Sequence, residues 1–221
     1  MARKTRNLKF APLPVRTHVI TENDDPIALV RQYCRGIAVP GDTICLAESV
    51  VAITQRRAVL PEEVRPGPLA RFLSRFPGKD GSLATPPAMQ LAIAEVGPLR
   101  ILAGCAAAAL GRVIKKKGLF YLVAGRRLTL IDDIAGTMHP YERHIVLGPK
   151  NPGKLVRAIK KATGAEAVIA DVNDKGDVDI LGITDPGYRQ AVIRALKDNP
   201  FGNEDEQTPI VILKRRPARF N

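Results

Sequence analysis

The sequence predicts a mixed α/β fold with at least one βαβ crossover. Short apolar runs rich in β-branched residues alternate with segments of helical period, and capping residues or prolines stand at several helix starts. Hydrophobic residues make up 45% of the 221 residues, which is enough to bury a sizeable core. We expect a single domain over residues 1–221, or two subdomains in which 1–60 and 115–221 form the core and 61–114 a helical excursion.

The first predicted elements are a helix and a strand. The segment IALVRQYC places Ile27, Val30 and Cys34 on one face, and Gly36 follows as a stop signal, which indicates an amphipathic helix. The β-rich run Thr43–Thr54 predicts one long or broken strand. A proline-rich stretch follows it and predicts an irregular excursion.

The middle of the chain is first apolar and then basic. Two predicted helices, Pro87–Val96 and Leu99–Ile114, are separated by Gly-Pro, and the segment LFYLVAG after them predicts a strand. The apolar run Leu99–Leu110 is too short to span a bilayer, so we favour a buried helix over an interfacial one. From Arg112 to Arg127 there are six basic residues and no acidic one, which we interpret as a solvated strand edge in preference to a binding patch.

Strands and helices alternate in the C-terminal third of the chain, as expected for an α/β protein. The predicted strands are His144–Leu147, Ala167–Asp171, Val178–Ile183 and Pro209–Leu213, and the predicted helices are Pro152–Thr163 and Pro186–Lys197.

The segment Gly148–Lys154 spells G-x-x-x-x-G-K, the pattern of a phosphate-binding P-loop. A P-loop needs a hydroxyl residue after its lysine, and this chain has Leu155 there. Pro149 and Pro152 also remove N–H donors from the loop. We therefore favour a plain helix start with Asn151 as N-cap.

The chain is basic, with 34 Lys and Arg against 22 Asp and Glu and a formal net charge of +12. This balance favours phosphates, polycarboxylates, nucleic acid or an acidic surface as partners. The three cysteines lack the spacing of a zinc site, and their odd number suits a reducing cytosol. Because the N-terminus lacks the apolar core of a secretory signal, we expect a cytoplasmic protein with no membrane partner.

Two acidic clusters follow predicted strands. Asp171 ends one strand, with Asn173 in the turn beyond it, and Asp132 and Asp133 stand at another strand-to-loop junction. Carboxylate oxygens suit Mg²⁺ or Mn²⁺, and the ends of parallel strands are common ligand sites. Spacing alone favours ordinary turn formation over a metal site.

Several segments resemble the coenzyme F(420)-0 gamma-glutamyl ligase family over nearly the whole chain. They are PVRTHVITENDDP, GDTICLAESVVAITQ, PPAMQLAIAEVG, FYLVAG, HPYERHIVLGPKNP, IADVNDKG and DNPFGNEDEQTPI. The chain is most similar to divergent bacterial members. The resemblance implies the fold of these ligases and an enzyme that uses GTP, or alternatively ATP, with Mg²⁺ or Mn²⁺.

The resemblance also implies metal ligands. Asp171 in IADVN matches a metal-binding aspartate of the family, and Asn173 is retained. Val172 replaces a hydroxyl residue, which removes one contact to metal or phosphate. A second metal-binding aspartate most nearly matches Asp133 or Asp132, with different local sequence.

Nucleotide contacts are implied near the N-terminus, within Val15–Ile20, where we select His18. In a later turn the family hydroxyl survives as Thr54. The family lysine becomes Gln55 and its glycine becomes Arg56, so a phosphate-facing cation is lost unless Arg56 or the following Arg57 replaces its charge.

Glu206 and Gln207, in a polar segment before the last strand, are further candidates for metal or base contact. No Ser or Cys nucleophile motif accompanies the histidines, so no catalytic residue is assigned. The function implied is attachment of glutamate to a carboxylate-bearing coenzyme precursor by a dimeric ligase. The alternative is a non-catalytic protein of the same fold that binds an anionic ligand or RNA, although RNA is disfavoured by the absence of Trp and of an RNP-like motif.

Overall fold

The computed structural model describes residues 9–78, 81–133, 139–173, 176–202 and 206–216; of Asp133 and Arg216 it describes the backbone. The predicted mixed α/β class is confirmed, because these residues form eight α-helices, a mixed five-stranded sheet and a small three-stranded sheet.

The elements are named in chain order. The strands are β1 (Lys9–Val15), β2 (Thr43–Ala47), β3 (Ala58–Val59), β4 (Asp132–Asp133), β5 (Ile145–Val146), β6 (Glu166–Val172), β7 (Val178–Ile183) and β8 (Ile210–Arg216). The helices are α1 (Pro26–Cys34), α2 (Glu48–Thr54), α3 (Pro68–Leu73), α4 (Pro86–Val96), α5 (Pro98–Val113), α6 (Leu119–Ala124), α7 (Pro152–Thr163) and α8 (Arg189–Leu196). Short 3₁₀ turns occupy Pro61–Glu63, Arg126–Leu130 and Pro186–Tyr188.

The chain divides into two compact units. Unit 1 comprises the described residues of Met1–Arg56 and Pro149–Asn221, and unit 2 comprises those of Arg57–Gly148. The second unit therefore extends on both sides of the expected 61–114 excursion.

Unit 1 is built on the five-stranded sheet, in the order β1-β8-β2-β6-β7. Strand β2 pairs in parallel with β6 and antiparallel with β8. Alternate residues of the central strands enter two cores: Ile44 and Ile169 pack with residues of α1 and α7, whereas Cys45 and Val168 pack with residues of α8. Since both faces of β2 are covered, its sequence TICLA is continuously apolar after Thr43.

Asp42, immediately before β2, connects three strands. Its carboxylate accepts hydrogen bonds from Lys214 Nζ at 2.6 Å and from the backbone N–H of Arg215 at 3.1 Å, both in β8. The N–H of Val39 donates to the same carboxylate at 3.1 Å, and the carbonyl of Asp42 accepts from Glu166 N–H at the start of β6. This buried residue therefore helps to set the register of β2 against both of its neighbours.

Unit 2 contains helices α3 to α6 and the small sheet, in the order β3-β5-β4. Helices α4 and α5 meet at Gly97, whose φ of 86° suits glycine, with a bend of 112°. Within the described residues, no single helix is long and apolar enough to cross a membrane.

Several sequence predictions are confirmed. Helix α7 spans Pro152–Thr163 as predicted and ends at Gly164 in the left-handed region. Asn151 precedes α7 but is itself left-handed, with φ of 51°, and makes no side-chain capping bond. The strand at Val178–Ile183 and the helix break at Gly97 also agree with prediction.

One predicted strand is wrong in its second half and another is wrong throughout. The run Thr43–Thr54 is a strand only to Ala47, after which residues 48–54 are helical. A short apolar run that is buried on every side has no periodicity to separate helix from strand. The segment LFYLVAG is helix α6, flanked by Gly118 and Gly125 at positive φ, so the basic stretch around it is not a strand edge.

The carboxylate of Asp42 carries a pH-dependent part of the stability. Burial raises the pKa of Asp42, but the hydrogen bonds from Lys214 and from the backbone of Arg215 and Val39 outweigh burial and hold the pKa below its ordinary value. Because the pKa of Asp42 is lower in the folded state than in the unfolded state, its ionised carboxylate stabilises the folded state at pH values above the unfolded-state pKa. This stabilisation is lost as the pH falls through the folded-state pKa.

We therefore expect Asp42→Asn to lower the free energy of unfolding by about 2 kcal/mol at neutral pH, because the partly exposed Lys214 loses its ion-pair partner. In urea denaturation, the difference from wild type should shrink below about pH 4. Asp198→Asn, an exposed residue of unit 1, is the matched control. An equal loss in the control, or a difference that does not change with pH, would contradict this role.

Candidate functional site

The end of the parallel strand pair brings two acidic residues to one edge of the sheet. The last parallel pair joins Ala47 to Ala170, and the next residues are Glu48 and Asp171. Open α/β sheets bind ligands at the carboxyl ends of parallel strands. Glu48 is 6% exposed, whereas Asp171 is exposed to solvent. This edge of unit 1 is the candidate site.

A second carboxylate stands directly opposite Asp171. In the antiparallel pairing of β6 with β7, Asp171 is the register partner of Asp179. Partial desolvation and the negative charge of Asp179 raise the pKa of Asp171 above its ordinary value. Like charges across a strand pair are destabilising, and a divalent cation held between them would relieve the repulsion. The pair therefore fits a hard cation such as Mg²⁺ or Mn²⁺.

The turn after Asp171 uses the side chain of Asn173. Its Oδ1 accepts the N–H of Asp177 at 2.9 Å, and its Nδ2 donates to Asp177 Oδ2 at 3.2 Å. This closes the hairpin between β6 and β7. Since both ends of the amide already have partners, Asn173 contributes first to the turn, and its role as a metal ligand stays a prediction.

The other predicted metal ligands, Asp132 and Asp133, form strand β4 of unit 2 and pair with β5. Asp132 is exposed, and the side chain of Asp133 lies outside the described residues. The predicted sharing of one ion between this pair and Asp171 stays a prediction. Among the side chains that the structure describes, no three of His, Cys, Asp and Glu form a group able to hold a metal ion.

His18 belongs to a polar network of unit 1. Its Nε2 lies 3.0 Å from Asp24 Oδ1, and its Nδ1 lies 2.6 Å from the Tyr33 hydroxyl. Because an ionised carboxylate only accepts, Nε2 carries the proton in the neutral imidazole and Nδ1 accepts the hydroxyl of Tyr33. Burial raises the pKa of Asp24, but hydrogen bonds from Thr21 and His18 lower it overall. The half-exposed imidazole is thus held in one orientation.

Of the side chains predicted to contact a nucleotide at the end of α2, Thr54 and Gln55 already form hydrogen bonds within unit 1. The Thr54 hydroxyl donates to the carbonyl of Val51 at 2.8 Å. The Gln55 amide makes two hydrogen bonds with the backbone of Lys150: its Oε1 accepts at 2.6 Å and its Nε2 donates at 3.0 Å. Arg56 is exposed at a φ of 57°. These contacts connect the end of α2 to the segment before α7. Arg56 is the one charged residue of the three, and it is exposed.

Arg57, the other candidate to replace the charge of the family lysine, has a different role. Its guanidinium forms an ion pair with Glu95 at 2.9 Å and its Nε donates to the carbonyl of Gly148, all within unit 2. The side chain is 7% exposed. Arg57 therefore stabilises unit 2 and is not available to a phosphate.

Glu206 and Gln207 precede β8. The carbonyl of Gln207 accepts the N–H of Thr17 at 2.9 Å, which brings the segment after β1 that contains His18 next to this segment. Glu206 is exposed and its carboxylate lies over Gly202, where an added Cβ would be 2.5 Å from Glu206 Oε2. The loop thus requires glycine at 202, and both residues remain candidates for ligand contact.

Sequence reasoning missed Glu48, Asp179, Tyr33 and Asp24. Glu48 carried a detectable signal, since it is the one charged residue in the apolar run from residue 44 to 53. Asp179, Tyr33 and Asp24 carried none, because their roles come from strand register and from side-chain contacts with His18 that the local pattern does not show.

The Asp171–Asp179 pair should reduce stability at neutral pH. A raised pKa in the folded state means that the ionised form is disfavoured by folding, and this penalty disappears as pH falls below the unfolded pKa. We expect Asp171→Asn to raise the free energy of unfolding by about 0.5 kcal/mol at pH 7, and to have no effect below about pH 3.5. Thermal unfolding across this pH range measures it; a loss of stability at pH 7 would contradict the repulsion.

No protein-family model matches the chain, and no curated protein matches it either.

Proposed function

We propose that the protein is an amide ligase that depends on a nucleotide and a divalent metal ion and acts on a carboxylate-bearing coenzyme precursor. The proposal combines the resemblance to the gamma-glutamyl ligase family with one observation, the exposed carboxylate pair of Asp171 and Asp179 at the carboxyl edge of the sheet. The proposed cofactors are GTP, or alternatively ATP, with Mg²⁺ or Mn²⁺. The protein is further proposed to act in the cytoplasm as a homodimer.

The implied chemistry is activation of a carboxylate. A phosphoryl group passes from the nucleotide to the substrate carboxylate, and the amine of glutamate then displaces phosphate to form the amide. Such reactions depend mainly on positioning and charge neutralisation. A bound Mg²⁺ or Mn²⁺ supplies neutralisation of the phosphate charge.

The side chains of this chain have separate proposed roles. Asp171 and Asp179 hold the metal ion, which accords with the use of one or two carboxylates plus substrate phosphates by Mg²⁺. His18, oriented by Asp24 and Tyr33, contacts the nucleotide.

A second candidate function is binding of an anionic ligand without catalysis. It is favoured by the turn after α2, where Gln55 stands in place of the family lysine and is bound to Lys150, and Arg57 is bound to Glu95, so that Arg56 is left as the exposed cation. The net charge of +12 would still attract anions. RNA is the less favoured ligand, because the described surface presents few aromatic side chains for stacking.

Thermal unfolding with and without ligands tests whether the protein binds a nucleotide and a metal ion. GTP with Mn²⁺ at about 100 times the dissociation constant should raise the melting temperature of the wild type by about 5 °C or more. Asp171→Asn should abolish the shift, because it removes one metal ligand, and the matched control Asp198→Asn should retain it. No shift in the wild type with GTP or ATP would remove the ligase proposal.

The salt dependence distinguishes the two candidate functions. If anion binding alone is the function, affinity for the nucleotide should fall steeply with salt and be equal for wild type and Asp171→Asn, with or without Mn²⁺. The ligase proposal expects binding that requires Mn²⁺ and is weakened at least about tenfold by Asp171→Asn. Isothermal titration at two salt concentrations provides the measurement.

A further inference from the structure

Helix α5 presents a line of aliphatic side chains to solvent. Leu99, Leu102, Ala106, Leu110 and Val113 recur at helical spacing and lie on one side of the helix. All five are exposed, and Leu99 and Val113 are 81% and 79% exposed. We call these five residues the α5 apolar face. The expectation of a buried helix at Leu99–Leu110 is therefore wrong for this side.

Glycines explain why the aliphatic side points outward. On the opposite side, an added Cβ at Gly104 would lie 2.7 Å from Ala124 Cβ of helix α6, and one at Gly111 would lie 2.6 Å from the carbonyl oxygen of Lys116. Helix α5 can therefore pack closely on the following segment only with the side that carries Gly104 and Gly111. Rotating α5 to bury its leucines would place their side chains where no Cβ fits.

Helix α6 also exposes aliphatic side chains, since Leu122 is 69% exposed and Val123 is 46% exposed. Isolated exposed aliphatic residues are ordinary, but a continuous stripe along a four-turn helix marks an interaction surface. Because the leucines are exposed within a well-packed unit, the surface is suited to an apolar partner.

The chain segment that contains the α5 apolar face is also rich in exposed basic residues. Between Pro98 and Ile131 the chain has no Asp or Glu. All seven Lys and Arg side chains of the segment are exposed: Arg100, Arg112, Lys115, Lys116, Lys117, Arg126 and Arg127. A cavity of about 490 Å³ opens among Arg112, Lys115–Lys117 and Tyr121. The segment therefore offers an apolar face together with a site for anionic groups.

We propose that the α5 apolar face and its basic residues bind the surface of a membrane that contains anionic lipids. An interfacial helix combines an aliphatic face with Lys and Arg that contact lipid phosphates. A second copy of the chain would bring seven uncompensated positive charges against seven, and a nucleic acid would gain nothing from exposed Leu and Val. The inference is independent of the ligase proposal and departs from the sequence expectation of no membrane partner.

The chain offers a clean fluorescence reporter, because it contains no tryptophan. Leu110→Trp places a single indole on the α5 apolar face, and Leu13→Trp places one on an exposed aliphatic position of unit 1. With vesicles of phosphatidylcholine containing about 30% phosphatidylglycerol, we expect a blue shift for Trp at 110 and none for Trp at 13. Vesicles of phosphatidylcholine alone should give no shift at either position.

Co-sedimentation with the same vesicles tests the contributions of the α5 apolar face and of its basic residues separately. Leu110→Glu should abolish binding, and its control Leu13→Glu should not. Changing Lys115, Lys116 and Lys117 to Gln should weaken binding at least about tenfold, whereas the same change at three exposed lysines of unit 1, Lys154, Lys161 and Lys197, should have a smaller effect. Circular dichroism verifies that each variant is folded.

Three results would overturn the proposal. The first is absence of wild-type binding to anionic vesicles at low salt. The second is equal binding by Leu110→Glu and wild type. The third is a wild-type dimer in sedimentation equilibrium that Leu110→Glu dissociates, with no vesicle binding, because the face would then belong to a second copy.

Discussion

The contacts of Asp42 are the constraint on which the arrangement of unit 1 depends. One buried residue binds Lys214 and Arg215 of β8 through its carboxylate and receives the N–H of Glu166 of β6 through its carbonyl. These contacts stand at the start of the parallel pair of β2 and β6. The register established there decides which residues leave the sheet together at the other end. A slip of one residue would exchange the two core faces.

That register connects packing with the candidate site. Ala47 and Ala170 form the last parallel pair, so the chain turns into α2 at Glu48 while β6 continues to Asp171. Asp171 then faces Asp179 because the neighbouring strand β7 is antiparallel. The core tolerates the repulsion of this pair, which lies at the exposed end of β6 and of the partly buried edge strand β7. Groups that cost stability at the edge of a rigid sheet are characteristic of functional sites.

The sequence contained the local features of the fold and few of the non-local ones. Proline at the start of α7, glycine after it, and the β-branched residues of β7 act within a few residues, so their elements were predictable. Residues 48–54 were assigned as strand because burial on nearly every side erases periodicity. Residues 119–124 were assigned as strand because their close packing on Gly104 of α5 is a contact that the local sequence does not show. Within the site, Asp171 was predictable from its place after an apolar strand. Asp179 and the partners of His18 were not, because strand register and a contact over fifteen residues determine them.

The two proposed surfaces carry opposite charge and belong to different units. Seven basic residues without an acidic one lie between residues 98 and 131 of unit 2, whereas unit 1 holds the carboxylates of the candidate site. The central claim is that this carboxylate edge holds a divalent cation. Crystals soaked with Mn²⁺ and GTP, measured at a wavelength where manganese scatters anomalously, test it directly. The account predicts an anomalous peak about 2.2 Å from a carboxylate oxygen of Asp171, with Asp179 beside it. An ordered nucleotide whose manganese peak lies away from both residues would contradict it.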